Sequence, residues 1–285
     1  GGSLAGGHGN SVPRFHIVWG TGPGIVEPFA NQVLEAQKNG RIDFKGRHKV
    51  TELIVEAGAV TGVRGQLLEE TMVERGQESS RNVVGEFEYL ADAVVVSSGG
   101  IGANIELVKA NWPSRLGEPP ENMVCGVPAF VDGEMLAVAE KAGARLVNRD
   151  RMWHYTEGLK NWNPIWPNHG IRILAGPSSM WFDAEGNRFS APNFPGFDTL
   201  STLEAIQKTG YDYSWLILTE KIIEKEFALS GSEQNPDLTN RSIKEVLKRI
   251  LPGPPAPVQA FKDHGEDFVI EDNLKDLVDG MNQLV

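Results

Sequence analysis

An α+β fold in two parts, with α/β character in the first, is what this sequence predicts, and three observations predict it. A β-rich run over residues 50–68, "VTELIVEAGAVTGVRGQLL", is interrupted by the turn-forming "EAGA". Val94, Val95 and Val96 make a continuous apolar run that ends in glycines and enters a helix, the pattern of a strand buried on both faces. Composition then changes near residue 112: "NWPSRLGEPPEN" reads as loop, and the remainder grows Trp- and Pro-rich and then helical. The division is placed so that one part covers residues 1–118 and the other 119–285.

Each element follows from local pattern. Ile25, Val26, Phe29, Val33, Leu34 and Ala36 mark one face of a helix that stops at Gly40. "EAGA" folds one β-rich run back on the next as a hairpin, and "VERGQESSRN" is a polar loop. "GEFEYLADAVVVSSGGIGANIELVKANW" reads strand, turn, helix. "VDGEMLAVAEKAGARLV" is a short helix with Asp132 placed to cap it. "MWFDAEGNRF" is a hairpin turning at residues 183–187. Leu200, Leu203 and Ile206 lead to Gly210, and Leu218, Ile222, Ile223 and Phe227 lead to Gly231. "SIKE", residues 242–245, is a capping box ahead of Val246, Leu247 and Ile250. "LPGPPAP" is a rigid linker before an amphipathic segment carrying Leu274, Leu277, Val278 and Met281.

A formal net charge of -11 argues against nucleic acid or an anionic membrane as partner. The single cysteine, Cys125, excludes an internal disulfide and fits a reducing, cytoplasmic setting. No apolar run approaches the roughly 20 residues of a membrane span. The opening "GGSLAGGHGN" has neither the basic region nor the apolar core of a signal peptide, and a chain trimmed at its front is expected. His8 and His16 lack supporting ligands and His48, His169 and His264 are scattered, so a metal site is not expected.

Two glycine clusters bear on nucleotide binding. In "FHIVWGTGPGIVEPF" the spacing of Gly20, Gly22 and Gly24 departs from Gly-x-Gly-x-x-Gly. Pro23 removes an amide donor, and Ile25 stands where the third glycine belongs. This loop reads as a helix entry rather than a phosphate cradle. In "AVVVSSGGIGAN", by contrast, a strand end carries Ser97, Ser98, Gly99 and Gly100, where two hydroxyls and two bare backbones let a nucleotide approach. A tight strand-to-helix turn accounts for the same residues.

Taken in order, "SVPRFHIVWGTGPGIVEPF", "RIDFKGRHKVTELIVEAGAVTGVRG", "ADAVVVSSGGIGAN", "VDGEMLAVAEKAGARLV" and "DAEGNRF" are similar to the flavoprotein family of fumarate reductases, succinate dehydrogenases and ketosteroid dehydrogenases. The similarity looks greatest to its FAD-binding dehydrogenase branch, named for ketosteroid dehydrogenases. It implies the middle of a Rossmann-like FAD domain over residues 1–118, followed by an α+β substrate-binding cap domain. The family's opening phosphate loop and closing flavin segment have no counterpart here, so the chain resembles an internal fragment. Val50 in "RHKV" matches the position whose backbone meets adenine, and Ser97, Ser98, Gly99 and Gly100 match the contact to the adenosine side of FAD. The resemblance implies FAD as cofactor of the full-length protein, absent from the isolated piece, and a small, steroid-like substrate.

Flavin dehydrogenation needs a base that removes a proton while hydride passes to the flavin. The fumarate reductases use an arginine in "R-F-x-N-E-x-x-x-R". Here "NRFSAPNFPGFDT" keeps Arg188 and Phe189 but not the glutamate or second arginine, which counts against fumarate reduction. His154 and Tyr155 in "RDRMWHYTEG" are the local candidates for the base, and a histidine merely packed beside Trp153 is the other reading. Arg172 is a candidate to orient a carbonyl or carboxylate, or else a surface ion-pair partner. Tyr211 and Tyr213, and the four tryptophans 153, 162, 166 and 181, fit either a wall against a planar ligand or core packing. Two rivals to the dehydrogenase reading stand beside it: a non-catalytic cap fragment that binds no cofactor, and a nicotinamide-binding domain on residues 15–40.

Overall fold

The structure, a computed structural model, describes residues 17–174, 176–193 and 198–285. His8 and His16 lie outside the described residues. The architecture is mixed α and β, as the sequence predicts, with antiparallel pairing in each sheet among the described residues.

Helix α1 (Thr21–Lys38) leads into a three-stranded meander of β1 (His48–Glu56), β2 (Ala59–Leu68) and β3 (Val83–Leu90). Ala57 and Gly58, both at positive φ, make the tight turn that "EAGA" announces. Helix α2 (Ile105–Ala110) and helix α3 (Glu134–Lys141) follow. Asn104 caps α2 by accepting the Leu107 amide at 3.0 Å. Asp132 serves α3 from one position outside the cap, accepting the Glu134 amide at 3.0 Å.

The second part is built on β4 (Gly158–Lys160), β5 (Gly170–Leu174), β6 (Met180–Asp183), α4 (Thr199–Lys208), β7 (Ser214–Ile217), α5 (Glu220–Glu226) and β8 (Ala228–Leu229). After them come α6 (Pro236–Thr239), α7 (Ile243–Leu247), α8 (Ala256–His264) and α9 (Leu274–Leu284). β5 lies between β4 and β8, while β6 pairs with β7. The core gathers on β5: Leu159, Ile171, Ile173, Ile223, Phe227, Leu229, Val258 and Phe261 form one buried cluster. Two of those residues, Val258 and Phe261, come from α8, where the linker reading of "LPGPPAP" stops short. Pro257 stands in the first turn, where its missing N–H costs nothing, so the proline run opens a helix instead of merely preceding one.

One expectation is corrected. Val94, Val95 and Val96 belong to no strand among the described residues, and Val95 is 90 % exposed. A run made for burial on both faces needs neighbours on its edges and faces, and none of the described sheets includes it. Helix α1 forms as the sequence predicts, and among the described residues its apolar face is uncovered: Ile25, Val26, Phe29 and Leu34 are all exposed.

Candidate functional site

The first group of site residues meets at the mouth of the meander. Arg47 enters β1 at a φ of 59°, and a bulge between Val50 and Glu52 breaks the ladder beside Val50. Gly65, paired with Val50, permits this approach, since a Cβ there would lie 2.0 Å from the Lys49 carbonyl oxygen. Opposite, the Ala103 amide donates to the Val131 carbonyl at 2.9 Å and Asn104 Nδ2 donates to the Asp132 carbonyl at 3.2 Å. These bonds tie the glycine turn to the entry of α3. Lys49 Nζ closes the circuit on Glu134 at 2.7 Å.

Between these walls is a cleft of about 360 Å³, lined by Val50, Ser98, Gly99 and Gly100 among others. Ser97 precedes the lining residues and is exposed. Gly99 has a φ of +86°, and nothing lies within 4 Å of a Cβ built on Gly100, so the backbone presents an open surface. The cleft is also lined by Arg47, His48, Arg81, Phe130 and the 132–134 turn, none of which the sequence marks as a nucleotide contact. Arg81 lies over the Phe130 ring at 5.0 Å, and His48 Nε2 meets the Tyr89 hydroxyl at 3.1 Å. Arg47 clips the loop after β2, donating to the Glu69 carbonyl at 2.9 Å and to the Ser80 carbonyl. The chemistry suits an adenosine: small residues for a flat ring, hydroxyls and carboxylates for a ribose, and cations nearby for phosphate.

The other glycine loop is engaged within the protein. The Gly20 amide donates to the Leu238 carbonyl at 3.0 Å, and the Gly24 amide to the Gly20 carbonyl at 2.9 Å. The Thr21 and Thr239 hydroxyls meet at 2.7 Å, and Arg241 pairs with Glu27. Those amides therefore do not face a phosphate.

The second group surrounds residues 154–157. The ring partner of His154 is Trp112, 5.7 Å between centroids, not Trp153. His154 Nε2 and Trp112 Nε1 are buried and have no hydrogen-bond partner among the described residues. Burial, with the Arg115 charge adding to it, holds the His154 pKa below the ordinary imidazole value, so the ring is neutral at neutral pH. Tyr155 turns the other way and is exposed, with the Arg172 guanidinium 3.9 Å from its ring centroid. Arg172 is not a surface ion-pair partner: its carboxylate is Glu157, at 3.7 Å, and both side chains are largely buried.

Arg188 stands apart. It bridges to Phe182 across the 183–187 turn, on the edge of the β6–β7 sheet, and is exposed. The four tryptophans do not form one wall. Trp181 is buried, Trp166 stacks on His169 at 3.7 Å, Trp162 leans on His264, and Trp153 points outward. Tyr213 packs edge-on against Trp215, while Tyr211 is exposed.

Comparison with known proteins identifies a family. A family model described as "FAD binding domain" matches residues 1–272. A KsdD-like steroid dehydrogenase of Mycolicibacterium smegmatis is 61 % identical over 284 residues, covering 100 % of this chain and 51 % of the relative. KsdD-like steroid dehydrogenases of two Mycobacterium tuberculosis strains are 59 % and 58 % identical over 285 residues, with 50 % of each relative covered. The chain thus spans about half the length of these relatives.

Proposed function

This chain belongs to the FAD binding domain family, and from that premise we propose that it is part of a longer FAD-dependent dehydrogenase acting on CH–CH groups of a steroid-like ketone. The observation that carries the reading is the cleft uniting Val50 with Ser98, Gly99 and Gly100, the positions that the family resemblance assigns to the adenosine side of FAD. The names and lengths of the relatives support the steroid class and the larger whole. Residues 1–118 are assigned to the FAD-binding part and 119–285 to the substrate cap, with the 132–134 turn closing the cleft from the far side. The buried lone cysteine fits the cytoplasm, and among the described residues no helix is long and apolar enough to cross a membrane.

Bound FAD would supply the hydride acceptor. The protein's own task is to hold the adenosine, seat the ketone and take a proton. The Val50 backbone and the bare glycines accept the adenosine, with the Ser97 and Ser98 hydroxyls beside them. His154 is neutral, but its Nε2 is buried beside Trp112, so it takes a proton only where substrate or the rest of the longer protein uncovers that nitrogen. Tyr155, steadied by Arg172, offers a hydroxyl to the substrate. Arg188, exposed on its hairpin and lacking the glutamate and second arginine of the fumarate reductases, remains the weakest of the four catalytic candidates.

The test is spectroscopic. The protein from the complete reading frame is expected to purify yellow and to oxidise a 3-ketosteroid with an artificial electron acceptor. The 285-residue chain alone is expected to be colourless, because its described helix entry at Gly20 turns its amides inward. A colourless complete protein sinks the dehydrogenase reading. NADH fluorescence that changes on adding the 285-residue chain would favour the nicotinamide rival.

A further inference from the structure

We infer that Glu157 is a positioning residue of the substrate site, acting through Arg172 to fix the ring of Tyr155; this rests on the reading above that Tyr155 meets substrate. The side chain of Glu157 is 4 % exposed and that of Arg172 14 %. Burying opposite charges costs desolvation that their attraction seldom repays, and two apolar residues would hold a sheet as well. The charged pair does something that an apolar pair cannot. It lays a planar cation 3.9 Å from the centroid of Tyr155, against one face of its ring.

The scaffold makes that placement rigid. Arg172 sits mid-strand on β5, opposite Gly158, between the buried Ile171 and Ile173. The Ile173 amide donates to the Glu157 carbonyl at 2.8 Å, and the Ser230 amide to the Arg172 carbonyl at 2.9 Å. Both charged residues are therefore pinned by backbone bonds on either side of the strand. Tyr155 itself is 46 % exposed, and Trp153, edge-on at 6.3 Å, is 81 % exposed. Charge lies inside and aromatic surface outside, the reverse of ordinary partition. Such a ledge suits a planar, apolar ligand with a polar edge, because a ring already held in one orientation loses little freedom on contact. Without the Glu157 carboxylate, the guanidinium charge is less compensated, tilts toward water and releases the ring.

The chain has four tyrosines, so 3-fluorotyrosine labelling of the 285-residue protein gives four fluorine resonances, with Tyr155→Phe identifying one. Glu157→Gln is expected to move the Tyr155 resonance and leave the other three in place. Glu157→Asp, which keeps the charge on a shorter stem, is expected to place it between the two. Arg172→Lys keeps the cation without the planar stack and is expected to move the same resonance; it serves if the Gln variant does not fold. A Tyr155 resonance unmoved by either change overturns the inference, and so do four resonances moving together, the sign of a merely structural role. In the complete protein, Glu157→Gln is expected to raise KM for a 3-ketosteroid roughly 3- to 10-fold, more than it lowers kcat. A fall in kcat with KM unchanged would count against positioning. The fluorine measurement needs neither cofactor nor turnover, so inactivity of the unaltered complete protein would sink the functional reading without touching that result.

Discussion

Gly100 and Gly133 both line the cleft, and alanine at the two positions separates fold from site. Gly133 has a φ of +81°, and a Cβ there would lie 2.7 Å from Leu107 Cδ2 and 2.9 Å from Ile101 Cγ2. The left-handed backbone costs an alanine about 1–2 kcal/mol, and crowding adds about 1–3 kcal/mol. At Gly100 the backbone is ordinary and nothing lies within 4 Å. Both changes gain about 0.4–1 kcal/mol by restricting the unfolded chain, so that gain cancels in the comparison. Gly133→Ala should therefore be less stable than Gly100→Ala by about 2–5 kcal/mol. Urea unfolding of the 285-residue chain followed by tryptophan fluorescence reads the difference directly. In the complete protein the order reverses for FAD: Gly100→Ala, although stable, narrows the cleft and should weaken flavin retention. Equal urea midpoints for the two variants would refute the cleft geometry as drawn.

Three further outcomes are expected. Phe261 is fully buried in the β5 core, and Phe261→Ala should cost about 3–5 kcal/mol in the same urea assay. Burial holds the His169 pKa below the ordinary imidazole value, with Glu233 partly opposing, while Nδ1 accepts the Ile165 amide at 3.1 Å. The stability it contributes is present above the ordinary value and lost as pH falls. The urea midpoint should drop between about pH 7 and about pH 5, and His169→Gln should remove part of that drop. Arg249 grips Asp237 by two bonds of 2.6 and 2.7 Å, holding the carboxyl below its usual range. Arg249→Met should cost about 1–3 kcal/mol at neutral pH and progressively less in acid, as Asp237 protonates, measured by midpoint at each pH.

Local signals were legible in the sequence where a few neighbouring residues decide the outcome. The α1 span, the Ala57–Gly58 turn, the Ser242 cap and the turn at Asp183 all depend on residues within reach of one another along the chain. Distant partners were not legible. Val94 to Val96 look like a strand because their composition fits burial, but a strand exists only where another edge receives it. Ile173 pairs with Leu229 across β6, α4, β7 and α5, which no local pattern announces. The cleft shows both sides. Val50 and the glycine turn stood out through family motifs, whereas Arg47, Arg81 and Phe130 reach the same place only through the meander and the 130–133 turn. His154 meets Trp112, 42 positions earlier in the chain, rather than its neighbour Trp153, a partner that no local pattern announces.

The hydroxyl contact between Thr21 and Thr239 joins residues 218 positions apart. Closing so long a loop carries an entropic penalty, although one that grows only slowly with length. The entry of α1 is seated on residues far along the chain, with the Gly20 amide on the Leu238 carbonyl beside the hydroxyl pair. A change at Thr239 is accordingly expected to be felt at the start of α1, where no neighbour in sequence would announce it.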